Sequence, residues 1–85
     1  MTPEWFHQYL SENNCEFQNT TFPNYRHAVY KNIKNGIKFT ILKDCVEMKP
    51  ESVILCCYHL GIPQPGCNKP MTFEEFQEAM NKTID

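Results

Sequence analysis

Apolar positions recur along this chain with two periods, and the switch between them divides it into elements. Trp5, Phe6, Tyr9 and Leu10 share one side of a helix, at offsets of one, four and five residues. Thr2 ahead of them is a cap, Pro3 takes the first helical position where its missing N–H costs nothing, and Glu4 meets the positive end of the helix dipole. The pattern predicts a helix over 3–13, stopped by Asn13-Asn14. Residues 15–24 (CEFQNTTFPN) read as weakly extended.

The period then falls to two. NYRHAVYKNIK and IKFTILKDCVEM flank Asn35-Gly36, the dipeptide that suits a two-residue hairpin turn because both central positions need positive φ. That turn would set Lys34 opposite Ile37. Ala28, Tyr30, Ile37, Phe39 and Ile41 then lie on a core face. His27, Val29, Lys31, Ile33, Lys38, Thr40 and Leu42 lie on a mixed face, partly open to solvent or to a partner.

Helical spacing returns at Lys49-Pro50-Glu51-Ser52, with proline again at the first position. This helix, 50–60, ends at Gly61, with Ile62 as the hydrophobic contact behind it and Pro63 as the breaker. The loop IPQPGCNKP (62–70) needs Ile62 or Cys67 as an anchor to be ordered. Met71-Thr72-Phe73-Glu74-Glu75-Phe76 is a capping box with a hydrophobic staple and opens a helix over 72–83. Phe73, Phe76, Ala79, Met80 and Ile84 form its stripe, with Glu74, Glu75 and Glu78 opposite.

The order predicts one small α+β domain over 1–85: a helix, an antiparallel hairpin of two or three strands, and two helices packed on one sheet face. Its expected core is Trp5, Phe6, Tyr9, Leu10, Tyr30, Phe39, Ile41, Val53, Cys57, Leu60, Phe73, Phe76 and Met80.

Composition narrows the function classes. At 85 residues and 41% hydrophobic content, the chain can fill one core with little surplus for a deep cleft or a buried cofactor. No secretory apolar stretch follows Met1 and no run approaches a bilayer-spanning length, so a soluble cytoplasmic protein with no membrane partner is expected. Its five cysteines, an odd number, are then reduced. The net charge of −2 is uneven. Between Arg26 and Lys49 six basic residues outnumber Asp44 and Glu47, for a local +4, and the remainder carries −6. Basic middle and acidic ends argue against strong non-specific nucleic-acid binding by the whole molecule, and leave a local basic patch open.

The densest chemistry is ILCCYHLGIPQPGC (54–67). On a helical wheel Val53, Cys56, Cys57 and Leu60 fall within about 100° of one another, a core stripe in which free cysteine acts as a small hydrophobe. Cys56 and His59 could approach one ion with Cys67 as a third ligand, but no second close pair completes a tetrahedral set. The buried helix is the better reading, and neither metal nor cofactor is called for. Leu55 and His59, four apart on the outward side, form a candidate partner-binding ridge.

With three glycines, a phosphate-cradling loop is nearly excluded, and no nucleophile elbow or His-Glu-x-x-His occurs. Tyr25, Arg26, His27 and Lys31 have the side chains to stack on bases, bind phosphate and move a proton. A helix, strands with an early histidine and a helix over residues 3–62 resemble the HicA-type mRNA interferase toxins, which have a double-stranded-RNA-binding-like fold. That resemblance implies a ribonuclease with His27 in the catalytic place. The Gly-Ser-His run typical of the family is here Tyr25-Arg26-His27, and the chain is acidic where such toxins tend to be basic.

The reading favoured by elimination is a non-enzymatic regulator or inhibitor that covers a surface of a larger protein. Its candidate surfaces are Glu74, Glu75 and Glu78 on the last helix, and His27, Lys31, Lys38 and Thr40 on the hairpin. Acidic faces can imitate phosphates, and in size and charge the chain is similar to small inhibitors of nucleic-acid enzymes, phage counter-defence proteins among them. RNA or DNA binding through the hairpin is the alternative. Homodimerisation through an open hairpin edge is compatible with both.

Overall fold

A computed structural model of the chain describes residues 2–18, 27–42 and 48–84, and omits the side chains of Pro3, His27, Ala28, Leu42, Thr83 and Ile84. The element order is α1 (Pro3–Glu12), β1 (Cys15–Gln18), β2 (His27–Asn32), β3 (Lys38–Leu42), α2 (Pro50–Leu60) and α3 (Phe73–Ile84). The strands form one antiparallel sheet in the order β1-β2-β3. The molecule is a small α+β domain, as the patterning predicts, and β1 supplies the third strand from the stretch read as weakly extended.

Helix ends follow local chemistry. The Thr2 hydroxyl accepts from the Trp5 N–H at 3.3 Å, which caps α1. Asn14 closes that helix with φ +66, a conformation asparagine tolerates better than most residues. At the end of α2, Gly61 takes φ +72, the Ile62 N–H reaches Cys57 O at 3.0 Å and the Gly61 N–H reaches Tyr58 O at 3.2 Å. Ile62 is then buried, which completes a Schellman motif with its hydrophobic contact. At α3 the Thr72 hydroxyl accepts from the Glu75 N–H (3.2 Å) while the Glu75 carboxylate accepts from the Thr72 N–H (3.0 Å), the reciprocal capping box.

The hairpin departs from the expected register. Lys31 faces Lys38 and Tyr30 faces Phe39, so Lys34 is not opposite Ile37. The Asn32 N–H reaches Ile37 O at 2.9 Å and the Gly36 N–H reaches Asn32 O at 2.8 Å, leaving a four-residue connection, 33–36, in which only Gly36 has positive φ. The cause lies in α2. The side-chain amides of Asn32 and Asn35 both donate to Leu60 O, at 2.7 and 3.0 Å, satisfying a helix-terminal carbonyl that would otherwise lack a partner. Their side-chain oxygens accept from the Lys34 and Ile37 N–H groups, both at 2.9 Å. The slip is two residues, so strand parity is kept: Tyr30, Phe39 and Ile41 stay on the core face and Lys31, Lys38 and Thr40 on the outer one, whereas Ile37, expected in the core, is 43% exposed beside the connection.

The core forms between the inner sheet face and helices α1 and α2. Phe6, Leu10, Cys15, Cys56, Cys57 and Leu60 are wholly buried, and Tyr30, Ile41, Met48, Val53 and Ile62 nearly so. Each large apolar side chain among them contributes about 1.5–3 kcal/mol through removal from water. Two expected core residues are not there. Trp5 is 49% exposed and lies flat on Tyr9, with ring centroids 5.6 Å apart, because Phe6 and Leu10 hold the inward stripe of α1. Phe73 is 59% exposed at the start of α3. Phe76 and Met80 are only half-buried, since among the described residues α3 packs mainly on α2.

The connection from α2 to α3 is anchored at its first half. The Tyr9 hydroxyl donates to Pro63 O at 2.5 Å, and buried Gln64 donates its amide to Ile54 O at 3.0 Å. Ile62 is an anchor as expected, whereas Cys67 is exposed.

Candidate interaction surfaces

Three surfaces carry the residues that the sequence singles out, and the structure keeps them separate. The first is the outward side of α2. Leu55 is half-buried, and one turn on His59 is exposed. The wheel that turns Val53, Cys56, Cys57 and Leu60 inward leaves Leu55 and His59 on the opposite half. The His59 ring stacks on Phe39 of β3, with centroids 5.5 Å apart and planes 19° apart, and meets Tyr58 edge-on at 5.8 Å. Tyr58 in turn stacks on Phe76 of α3 at 4.1 Å and 12°. A band of rings therefore crosses from sheet to α2 to α3, with Leu55 beside it.

The second is the acidic side of α3. Glu74, Glu75 and Glu78 are all exposed. They are not equivalent. Glu75 is held by the capping box, and hydrogen bonds from the backbone and hydroxyl of Thr72 hold its carboxyl below the usual range. Glu78 pairs with Lys82 at 3.3 Å, both side chains well exposed. Glu74 alone makes neither contact.

The third is the outer face of the sheet. Glu16, Lys31 and Lys38 form one row across β1, β2 and β3, and Gln18, Val29 and Thr40 the next. Lys38 and Thr40 are exposed and Lys31 and Val29 half-buried, and no described helix packs against this side. Lys31 directly opposite Lys38 is a like-charge pair, which costs sheet stability. His27 belongs to β2 and pairs with Leu42 in register, but its side chain lies outside the description, as do Tyr25 and Arg26 altogether.

The cysteine stretch is interior. Cys15, Cys56 and Cys57 are wholly buried free thiols. Burial, with a smaller contribution from Cys15, pushes the Cys57 thiol up to about 12, and burial pushes Cys56 up further. Thiols held neutral in this way are poor nucleophiles. Cys56 points inward while His59 points out, and among the described residues no three His, Cys, Asp or Glu side chains gather as metal ligands.

Sequence reasoning missed the buried polar contacts of Asn32 and Gln64 described above, one more between α1 and β2, and most of the ring band. His7 Nδ1 hydrogen-bonds to the buried Tyr30 hydroxyl, joining α1 to β2. Burial, then the neighbouring Cys56 thiol, raises the Tyr30 phenol above its ordinary range. Consecutive Tyr58-His59 on the outward half of a helix is a visible signal for the band, but its partners Phe39 and Phe76 come from other elements. Compared with family models, curated proteins and solved structures, the chain matches none. No helix among the described residues is long and apolar enough to cross a membrane.

Proposed function

We propose that this protein is a small non-enzymatic regulator that works by covering a surface of a larger protein, and that it does so through the outward side of α2. The observation that carries this reading is the band Phe39–His59–Tyr58–Phe76 with Leu55 alongside. Aromatic and apolar side chains left half-buried around an exposed His59 are the kind of surface that protein contacts cover, and aromatic anchors dominate the energetics of such contacts. Reactive side-chain types, by contrast, are tied up in structure. The Cys15, Cys56 and Cys57 thiols are buried with their pKa values raised, Glu75 caps a helix and Glu78 pairs with Lys82.

A second reading has its own observation. Lys31 and Lys38 oppose each other on the uncovered sheet face with no ion pair to either among the described residues, an arrangement that an anionic backbone would relieve. RNA or DNA binding there, with His27 on the same face, is the alternative.

The deciding experiment is affinity capture from a native extract with wild type and with Leu55→Asp/His59→Asp as baits, each with and without nuclease. A stoichiometric protein that survives nuclease and is lost with the double variant supports the α2 surface. Partners that vanish with nuclease and ignore the double variant overturn it in favour of the hairpin.

A further inference from the structure

Asn35-Gly36 is the one place in the chain where glycine follows asparagine, and both residues are exposed. In an unfolded peptide this pair is chemically unstable. With no side chain on the glycine to obstruct it, the Gly36 nitrogen can close on the Asn35 side-chain amide. Here the fold holds both reacting groups. The Gly36 N–H donates to Asn32 O at 2.8 Å, so removing its proton would set a bare nitrogen against a carbonyl oxygen. The Asn35 side chain donates to Leu60 O at 3.0 Å and accepts from the Ile37 N–H at 2.9 Å. Its amide nitrogen packs so closely on Gly61 that a Cβ added there would lie 2.9 Å from it.

We propose that Asn35 is a site of spontaneous covalent modification, guarded in the folded molecule and converted to aspartate or isoaspartate whenever its side chain leaves Leu60 O. Hydroxide takes the Gly36 amide proton, and the freed nitrogen attacks Asn35 Cγ. The N–Cγ bond forms, the Cγ–Nδ2 bond breaks, and the side-chain nitrogen takes a proton from water and leaves as ammonia. A five-membered cyclic imide remains. Water then opens the ring, at Cγ to give aspartate, or at the Asn35 backbone carbonyl carbon to give isoaspartate with the chain running through the side chain. The sum is hydrolysis of a side-chain amide, with no change of oxidation state and no reactant besides water.

The product cannot return to its place. A carboxylate has no proton to donate, so one of its oxygens would face Leu60 O across the gap that a hydrogen bond now spans. It would also sit at the C-terminal end of α2, where the helix dipole disfavours negative charge. The Asn32 amide, 2.7 Å from Leu60 O, is untouched, so the strands stay paired while the connection between them loosens. Each opening is thereby a chance of a one-way change, and modified molecules accumulate with the time spent open. The inference does not depend on the α2 surface proposed above.

The test is peptide mapping by mass spectrometry of the purified protein aged in mildly alkaline buffer, with the same chain unfolded in urea as the reference. In urea Asn35 should convert fastest of the asparagines. In the folded chain it should convert more slowly, by the same factor that slows hydrogen exchange at the Gly36 amide, since one opening exposes both. Asn32→Ala removes the neighbouring amide bond to Leu60 O and should speed conversion in the folded protein about five- to a hundredfold, the effect of one buried hydrogen bond. Wild type in urea too dilute for global unfolding should also convert faster, which makes the same point without a substitution. Asn35→Asp, the product itself, should speed amide exchange over residues 33–37 with little change in α3. Thermal melts verify that both variants fold. A folded wild type that converts as fast as the chain in urea overturns the proposal. So does conversion unaltered by Asn32→Ala and by dilute urea, or an Asn35→Asp chain whose residues 33–37 exchange as slowly as wild type.

Discussion

Helices α2 and α3 are of nearly equal length, eleven and twelve residues, and occupy opposite extremes of burial. Helix α2 sinks Val53, Cys56, Cys57 and Leu60 into the core and has its last carbonyl bound by two asparagine side chains from the hairpin. Helix α3 buries no described side chain fully and rests on α2 with the Phe76 ring stacked on Tyr58. Yet α3 is the more plainly two-sided in sequence, with acids along one side and a clean apolar stripe along the other. A two-sided pattern says which way a helix faces; apolar content around its whole circumference says how deep it lies. Helix α2 is part of the frame, and α3 is a local addition that, among the described residues, rests on it through a ring stack and half-buried contacts and is capped by its own Thr72–Glu75 box.

The comparison breaks first at Leu60. Leu60→Ala removes a wholly buried side chain and should cost about 2–5 kcal/mol, lowering the midpoint of global denaturation. Phe76→Ala in α3 should cost closer to about 1 kcal/mol and speed amide exchange in residues 73–84 with little change in β2. If the two substitutions cost the same, α3 belongs to the frame after all.

Asn32→Ala should fall between them, at about 1–3 kcal/mol. It removes the amide that reaches Leu60 O and the oxygen that accepts from the Lys34 N–H, leaving buried groups without partners. Urea denaturation followed by Trp5 fluorescence measures it.

pH sharpens the contrast from both ends. Cys57 has its pKa raised in the fold, so the folded state holds its proton over a range in which the unfolded chain releases it. Its stabilisation is full below the unfolded value near 9 and is lost as pH climbs toward about 12, so global stability should fall across that window. Glu75 is shifted the other way. The contribution of its carboxylate is present above the ordinary glutamate value and lost as pH falls through the lowered one, so acid should loosen α3 ahead of the frame. Hydrogen exchange across a pH series reads both, and simultaneous loss of α2 and α3 in acid would contradict the division.

The smallest effect expected is from Thr72→Ala, about 0.5–1 kcal/mol, confined to the first turn of α3. A larger global loss would mean that the capping box supports more than its own helix.

What was legible in the sequence is what local chemistry decides. Thr2, Gly61 and the Thr72–Glu75 box place helix ends within a residue, because capping partners lie three to five residues apart. The inner and outer sheet faces follow from alternation alone. What was not legible depends on remote partners. Asn35-Gly36 invites a two-residue turn, and only Leu60, 25 residues on, makes the wider connection better. Trp5 sits beside the inward stripe of α1 and Phe73 lies in the stripe of α3 but at its exposed first turn, and Met48 and Gln64 are buried in connections on either side of α2 whose paths no periodicity describes. For the candidate surface, Leu55 and His59 were visible as an outward pair, while the rings that extend them into a band required tertiary structure.

The amide clasp on Leu60 makes the register of this hairpin a property of the helix that follows it. Both alignments, Lys34 opposite Ile37 and Lys31 opposite Lys38, point every side chain to the same sides, so apolar patterning is indifferent between them. Patterning alone therefore leaves both strand alignments open, and the clasp on Leu60 O is what favours the observed one. The choice is made from the C-terminal direction, by a carbonyl that does not exist as an acceptor in the peptide 27–42.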